Sequence, residues 1–361
     1  MTRVRSLAFM LFLLAPTSAP CTGDRAEASP RSPAVEIAPT SLCSRCDIVL
    51  VVLPGLRADA VDAKSMPRTW RWAQSKTVRF EQAISPSSEA LPLLTGVPSW
   101  PRRLGQDDAI HSRPAAVSLP EVLRAAGYRT AAFATDESGQ RQFGLDRGFD
   151  LYRNDAADIE ALTARASEWI AGASKPWMLL IMPPAAKNAA WLTRADQALA
   201  ALLERLPGAI AVITSTSDRG DSLRDETISV PLFFSWPTTK SLLVTQQAGT
   251  LGLASALAEM VGVQSPALSR QARGRGIIDA LLWSYGGGDD VVVSQTRSAR
   301  RASLDSLRSS DGWKLVIDRL HDRRHLYFLT EDPTESRDLA SQRPDLADSY
   351  THILDLRLAH R

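Results

Sequence analysis

The residues best placed to do chemistry follow the apolar stretch 48–53. Six consecutive apolar residues predict a strand that is buried on both faces, as in a parallel sheet. In such sheets, ligands bind beyond the carboxyl ends of the strands. The next residues here are Pro54 and Gly55, which carry no side-chain ligand atom. This stretch therefore has the position of a functional site but lacks the residue types that such a site needs.

Two arginines could instead supply an anion-binding function. Arg57 follows this first strand, and Arg219 follows another apolar strand predicted at 209–214. Guanidinium groups bind sulfate and phosphate through paired hydrogen bonds. The more common alternative is that both arginines are solvated side chains at strand ends, and the residues alone leave both interpretations open.

Composition excludes some functions and restricts others. The chain has 361 residues and a formal net charge of +2, so charge gives no argument for binding nucleic acid. Hydrophobic residues make up 44% and charged residues 23%, as in ordinary globular proteins. Only five histidines are present and none lies between 112 and 320, so a histidine-rich catalytic centre is hard to build in the predicted sheet.

The elements that must position these residues alternate between helices and apolar strands. This order predicts an α/β fold with a mostly parallel central sheet flanked by helices. The tail differs, because 286–361 predicts a small antiparallel sheet followed by a terminal helix. We therefore divide the chain into a signal peptide (1–21), a flexible tether (22–46), an α/β core (47–285) and a C-terminal subdomain (286–361).

The N-terminus predicts export. Arg3 and Arg5 precede an apolar run and small residues, which is the order of a secretory signal. Cys21 could be the acylated first residue of a bacterial lipoprotein, which would anchor the protein to a membrane; the rival interpretation is ordinary cleavage nearby. We expect an exported protein that is periplasmic or membrane-anchored in a bacterial cell envelope. Cys43 and Cys46 are close enough to form a disulfide, which export favours.

Nine segments of the chain resemble, in order, the sulfatase family of the alkaline phosphatase superfamily. They cover roughly residues 47 to 361 and read IVLVVLPGLRAD, VRFEQAISPSSEALPLLTG, LPEVLRAAGYRTAAF, FGLDRGFDLY, AIAVITSTSDRGDS, ETISVPLFF, GRGIIDALL, DGWKLVID and LYFLTEDPTESRDLA. The resemblance implies the sandwich fold of that superfamily. It also implies hydrolysis of sulfate, phosphate or phosphonate esters with a divalent cation, usually calcium, and a nucleophile in a C/S-x-P-S-R motif.

The family's functional residues are mostly missing at the matching positions. The resemblance places metal-binding aspartates at Pro54 and Gly55, and the nucleophile at Pro86. The motif arginine falls on Ala90. If the alignment slips, Ser87 or Ser88 could replace the nucleophile, although serines in such turns usually bond to their own backbone.

One part of the metal motif survives. The family's S-D-H-G-E motif is Ser217-Asp-Arg-Gly-Asp221 here. Asp218 and Asp221 are therefore the candidate metal ligands, and carboxylates suit calcium. Arg219 stands at the neighbouring ligand position, where its charge would repel a metal. Asp218 could instead pair with Arg219 or cap the strand end.

These departures predict an exported, sulfatase-like protein that has lost ester hydrolysis and acts by binding a protein or another envelope ligand. No cofactor is expected, although a residual calcium ion stays an option. The alternative is an active sulfuric- or phosphoric-ester hydrolase with a rearranged metal site, built from Ser87 or Ser88 with Asp218 and Asp221. A third hypothesis is a purely structural envelope protein.

Overall fold

A computed structural model describes residues 36–37, 41–98, 116–135, 144–186, 188–218, 222–271, 274–283, 288–298 and 302–358. The strands are β1 (Glu36–Ile37), β2 (Ile48–Val52), β3 (Val78–Ile84), β4 (Arg129–Ala134), β5 (Leu151–Arg153), β6 (Trp177–Met182), β7 (Ile210–Thr214), β8 (Leu232–Ser235), β9 (Leu242–Gly249), β10 (Val263–Gln264), β11 (Val291–Ser298), β12 (Ala302–Ser309), β13 (Trp313–Asp318) and β14 (Arg323–Phe328). The helices are α1 (Pro67–Lys76), α2 (Leu91–Thr95), α3 (Leu119–Ala125), α4 (Ile159–Gly172), α5 (Ala189–Glu204), α6 (Asp225–Ile228), α7 (Leu253–Met260), α8 (Pro266–Gln271), α9 (Gly276–Trp283) and α10 (Pro344–Leu358).

The main sheet has eight strands in the order β5-β4-β6-β2-β7-β8-β3-β9. All its pairings are parallel except those of β8, which runs antiparallel to β7 and β3. Val49 of β2 lies between Leu179 of β6 and Ala211 of β7. Every residue of β2 is buried, which explains its uninterrupted apolar sequence. The predicted mostly parallel sheet is confirmed.

Helices cover both faces of this sheet and bury a separate apolar layer on each. One layer contains β2 side chains such as Leu50 and packs against α3, α7 and α9. The other contains Val49 and Val51 and packs against α4 and α5. On that second face, the buried carboxylate of Asp196 in α5 accepts hydrogen bonds from the backbone N–H groups of Arg68 and Thr69. Asp196 thus caps the start of α1 from a neighbouring helix.

The C-terminal sheet has four antiparallel strands in the order β11-β12-β13-β14, and α10 packs on it through Tyr350 and Leu354. This confirms the predicted small antiparallel sheet and terminal helix. The buried carboxylate of Asp289, just before β11, ties this sheet to the core. It accepts hydrogen bonds from the N–H groups of Gly249 (2.8 Å) and Gly276 (3.1 Å). Burial raises the pKa of Asp289, and the two N–H groups oppose that rise.

The segment before β2 is tied to the amino edge of the main sheet. Cys43 and Cys46 form a disulfide. The Cys43 N–H donates to the carbonyl of Met260, at the end of α7, over 2.9 Å. β1 pairs with β10, which follows α7. The described segment before β2 therefore lies at this edge. Cys21 lies outside the described residues.

Candidate functional site

The carboxyl end of β2 is closed by hydrogen bonds to the end of β7. Ser215 Oγ donates to the Leu53 carbonyl (2.5 Å) and accepts from the Leu56 N–H (2.9 Å). The Gly55 N–H donates to the Thr216 carbonyl over 3.2 Å. The backbone after β2 therefore lies beside the segment that carries Asp218, as the resemblance implies.

Gly55 and Asp218 face each other across this junction. Gly55 has φ = +73°, a left-handed conformation that glycine adopts without strain. A Cβ atom at Gly55 would lie 3.7 Å from Asp218 Oδ1, so a carboxylate here would adjoin that of Asp218. The Asp218 N–H points to the Thr227 carbonyl at 3.4 Å. Asp221 and Arg219 lie outside the described residues.

The serine turn at 85–88 is hydrogen-bonded to the same segment. The Ser217 N–H donates to Ser85 Oγ (3.0 Å) and to the Ser87 carbonyl (3.1 Å). Ser87 Oγ accepts from the Glu89 N–H at 3.2 Å, which is the local bond typical of a serine turn. Ser85 and Ser87 are 0% and 3% exposed, whereas Ser88 is partly exposed.

The edge strand of the C-terminal sheet also lies against this turn. Ser294 Oγ in β11 donates to the Ser85 carbonyl (2.6 Å), and the Gln295 N–H donates to the Pro86 carbonyl (2.8 Å). The turn is thus held between β7 and β11, and its backbone oxygens are committed to structural hydrogen bonds.

Arg57 is occupied by acidic neighbours. Its guanidinium makes two hydrogen bonds to the Asp59 carboxylate, at 3.0 Å and 2.6 Å, and lies 3.5 Å from Glu226. The hydrogen bond to Asp59 raises the pKa of Arg57, while its slight burial acts in the opposite direction. An external anion would have to compete with these two carboxylates.

The described residues at this edge do not fit the calcium ion that the resemblance implies. Calcium takes six to eight oxygen ligands, several of them carboxylates. Of the described carboxylates named above, Asp59 and Glu226 are paired with Arg57, and Asp218 adjoins Gly55. Across the described ranges, no group of three or more His, Cys, Asp and Glu side chains could hold a metal.

A buried charged network lies where the C-terminal sheet meets the core, and the sequence analysis did not identify it. Lys314 in β13 is fully buried; its Nζ lies 2.9 Å from Glu335 and 3.7 Å from Asp225. Arg308 in β12 donates to Asp225 (3.0 Å) and to Gln247 of β9 (2.5 Å). Burial lowers the pKa of Lys314, and the two carboxylates oppose this.

No family model and no curated protein matches the sequence. Solved structures match the fold. A 2-O GAG sulfatase shares 14% identity at a TM-score of 0.68, over 86% of this chain and 91% of that one. A protein solved with its substrate D-glucosamine-2-N,6-O-disulfate shares 13% identity at a TM-score of 0.70, over 87% and 98%. The phosphonate monoester hydrolase of Agrobacterium radiobacter shares 13% identity at a TM-score of 0.63, over 87% and 96%.

The protein therefore has the fold of these sulfatase and phosphonate monoester hydrolase structures. The same mixed sheet, flanking helices and separate antiparallel sheet confirm the fold that the nine segments predicted. A fold does not by itself define an activity, which depends on the residues at the site. In the part of the chain that the structure describes, no helix is both long enough and apolar enough to span a membrane.

Proposed function

We propose that this chain is an exported protein with an ester-hydrolase-like fold that no longer hydrolyses esters and acts by binding. The observation that carries the proposal is the end of β2, where Pro54 and Gly55 place no side-chain oxygen beside Asp218. The buried serine turn and the paired Arg57 support it, because Ser87 Oγ and the Arg57 guanidinium already have structural partners.

The energetics of the reaction support the same proposal. Hydrolysis of sulfate and phosphate esters requires the barrier to fall by some 20 kcal/mol or more. Metal ions contribute to such reactions by stabilising charge on the transferring group and by activating the nucleophile. Asp218 without a bound metal ion supplies neither effect.

The test is an assay of residues 33–361, which contain every described helix and strand, with aryl sulfate, phosphate and phosphonate esters. Calcium, magnesium, manganese and zinc are added in turn. We expect no turnover above the protein-free rate. Turnover that Asp218→Ala abolishes and the exposed control Asp345→Ala retains would refute the proposal, because a contaminating hydrolase would not respond to either substitution.

One observation favours the alternative of an active hydrolase with a rearranged site. The hydrogen bond from Ser217 to the Ser87 carbonyl places the serine turn directly beside the segment that carries Asp218. If the protein is an active hydrolase of this kind, Ser87→Ala or Ser88→Ala should abolish turnover, and Asp218→Ala should abolish it as well.

Export and membrane attachment form a separate part of the proposal. The charged, apolar and small-residue order of the first 21 residues supports export, and Cys21 is the proposed site of acylation. Bacteria that express the full chain with a labelled fatty acid should incorporate the label, and Cys21→Ala should not. An unlabelled wild-type protein would rule out the lipid anchor without affecting the proposal about hydrolysis.

A further inference from the structure

The amino edge of the main sheet, opposite the candidate site, carries a concentration of basic residues. Cations directly precede or begin five parallel strands: Arg45 for β2, Lys76 for β3, Arg129 for β4, Lys175 for β6 and Lys240 for β9. Because parallel strands begin at the same edge, these five charges share one side of the molecule. Two of them are paired, Lys175 with Asp47 and Arg129 with Asp150.

A cavity of about 600 Å³ opens here, between α1 and the carboxyl end of α5. Arg68, Arg71 and Lys76 of α1 line it, and none of them forms an ion pair with a described residue. One acidic side chain, Glu204, also lines the cavity, so basic groups exceed acidic ones. This wall would attract a ligand or surface of negative charge.

Two tryptophans complete the lining. Trp72 and Trp236 are each partly buried and pack against a core layer. Tryptophan has an apolar ring and a polar N–H group, and it is typical of protein surfaces at the boundary between water and lipid. Cations beside tryptophans suit an anionic lipid surface better than they suit a small free anion.

The path of the chain points to the same edge. β1 pairs with β10 at this edge, and fifteen residues separate Glu36 from Cys21. Fifteen extended residues span at most about 50 Å. If Cys21 is acylated, as proposed above, the tether therefore keeps the basic edge within about 50 Å of the membrane.

Helix chemistry accounts for only part of this arrangement. Lys76 lies in the last turn of α1, where a cation stabilises the helix terminus. Arg68 is at the other end of the same helix, and Lys240 is in the loop before β9. The helix dipole therefore does not explain why these charges share one face.

We propose that this amino edge, centred on the cavity between α1 and α5, rests against an anionic phospholipid surface. The candidate site at the carboxyl edge would then face away from the membrane. The charge argument does not depend on acylation of Cys21 or on the loss of ester hydrolysis, so it can be tested separately from both.

The experiment is sedimentation of residues 33–361 with vesicles. One set contains neutral phosphatidylcholine alone, and the other also contains phosphatidylglycerol. We expect binding only to the anionic vesicles, and weaker binding at high salt. Each cation near such a surface contributes about fivefold to affinity, so Arg71→Gln with Lys76→Gln should weaken binding about 25-fold.

The matched control is Arg323→Gln with Arg337→Gln, which removes the same charge from exposed positions on the C-terminal side of the chain. It should bind like the wild type. Trp236→Ala should also weaken binding, at unchanged charge. Equal binding by the two double variants would overturn the proposal, as would equal binding to neutral vesicles. Loss of vesicle binding in the presence of millimolar inorganic phosphate would also overturn it, because the cavity would then be a site for a free anion.

Discussion

The buried pair of Lys314 and Glu335 permits a quantitative test of what holds the C-terminal sheet to the core. Lys314→Met keeps the length and apolar character of the side chain but removes its charge. Glu335, whose side chain is 5% exposed, then loses its cation at 2.9 Å. It keeps the backbone N–H of Asp225, which donates to the same carboxylate oxygen at 2.5 Å. Asp225 itself keeps Arg308.

Removal of one member of a buried ion pair destabilises a protein by about 3–5 kcal/mol, because the other charge is left without a partner. Because the N–H donor remains, we expect Lys314→Met to lower the free energy of unfolding by about 3 kcal/mol, the lower end of this range. The double variant Lys314→Met with Glu335→Gln removes both charges and keeps an oxygen for the N–H of Asp225. Since neutral replacement of a whole buried pair is often tolerated, we expect it to lie within about 1 kcal/mol of the wild type.

The assay is urea unfolding at pH 7, followed by the fluorescence of the nine tryptophans. The single variants and the double variant together form a double-mutant cycle, which isolates the coupling between the two side chains. A coupling energy of about 2 kcal/mol or more would support the argument. A Lys314→Met protein as stable as the wild type, or a double variant as unstable as Lys314→Met, would refute it.

Three further predictions concern other parts of the structure. Gly55→Asp adds a carboxylate beside Asp218 and should give a rise of a few degrees in Tm with millimolar calcium, whereas the wild type and Gly55→Asn should not respond. Burial raises the pKa of Asp289 in the folded state. The free energy of unfolding of the wild type should therefore rise, relative to Asp289→Asn, as the pH falls through that pKa towards the unfolded value of about 3.9. Urea unfolding between pH 7 and pH 4 measures this difference, and the opposite trend would contradict the prediction. Replacement of both Cys43 and Cys46 by serine should lower the free energy of unfolding by about 2 kcal/mol, and an unchanged urea midpoint would argue against a stabilising disulfide.

The central sheet could be predicted because its strands are buried on both faces. The run Ile48–Val52 and the run Trp177–Met182 are apolar throughout, which is a strong local signal. The edge strand β9 was missed, since polar residues such as Gln246 interrupt its sequence and its burial is mixed. β12 was missed for a related reason, because it carries charged residues: the structure buries Asp305 against Gln295 and Arg319, and pairs the partly buried Arg308 with Asp225.

The sequence predicted where the candidate site lies in the fold, but not the contacts that its side chains make. The order of segments was enough to bring Gly55 and Asp218 together. The pairing of Arg57 with Asp59 and Glu226 was not predicted, because Glu226 lies far away in sequence and nothing local marks the contact. The sequence carries one signal of the charged network around Lys314: a lysine beside the apolar run Leu315–Ile317, in the buried middle of the strand WKLVID, where lysine is rare.

The position of β2 between β6 and β7 has a consequence for how this protein is made. β2 is the first strand of the main sheet to be synthesised, yet its neighbours end at Met182 and Thr214. At ordinary rates of translation, roughly 10–30 s pass between the synthesis of β2 and that of β7. Until β6 is made β2 has no partner, and until β7 is made one of its edges stays unpaired, which makes this apolar strand prone to aggregate. A factor that shields residues 48–53 until β6 and β7 exist would therefore be expected to reduce misfolding of the nascent chain.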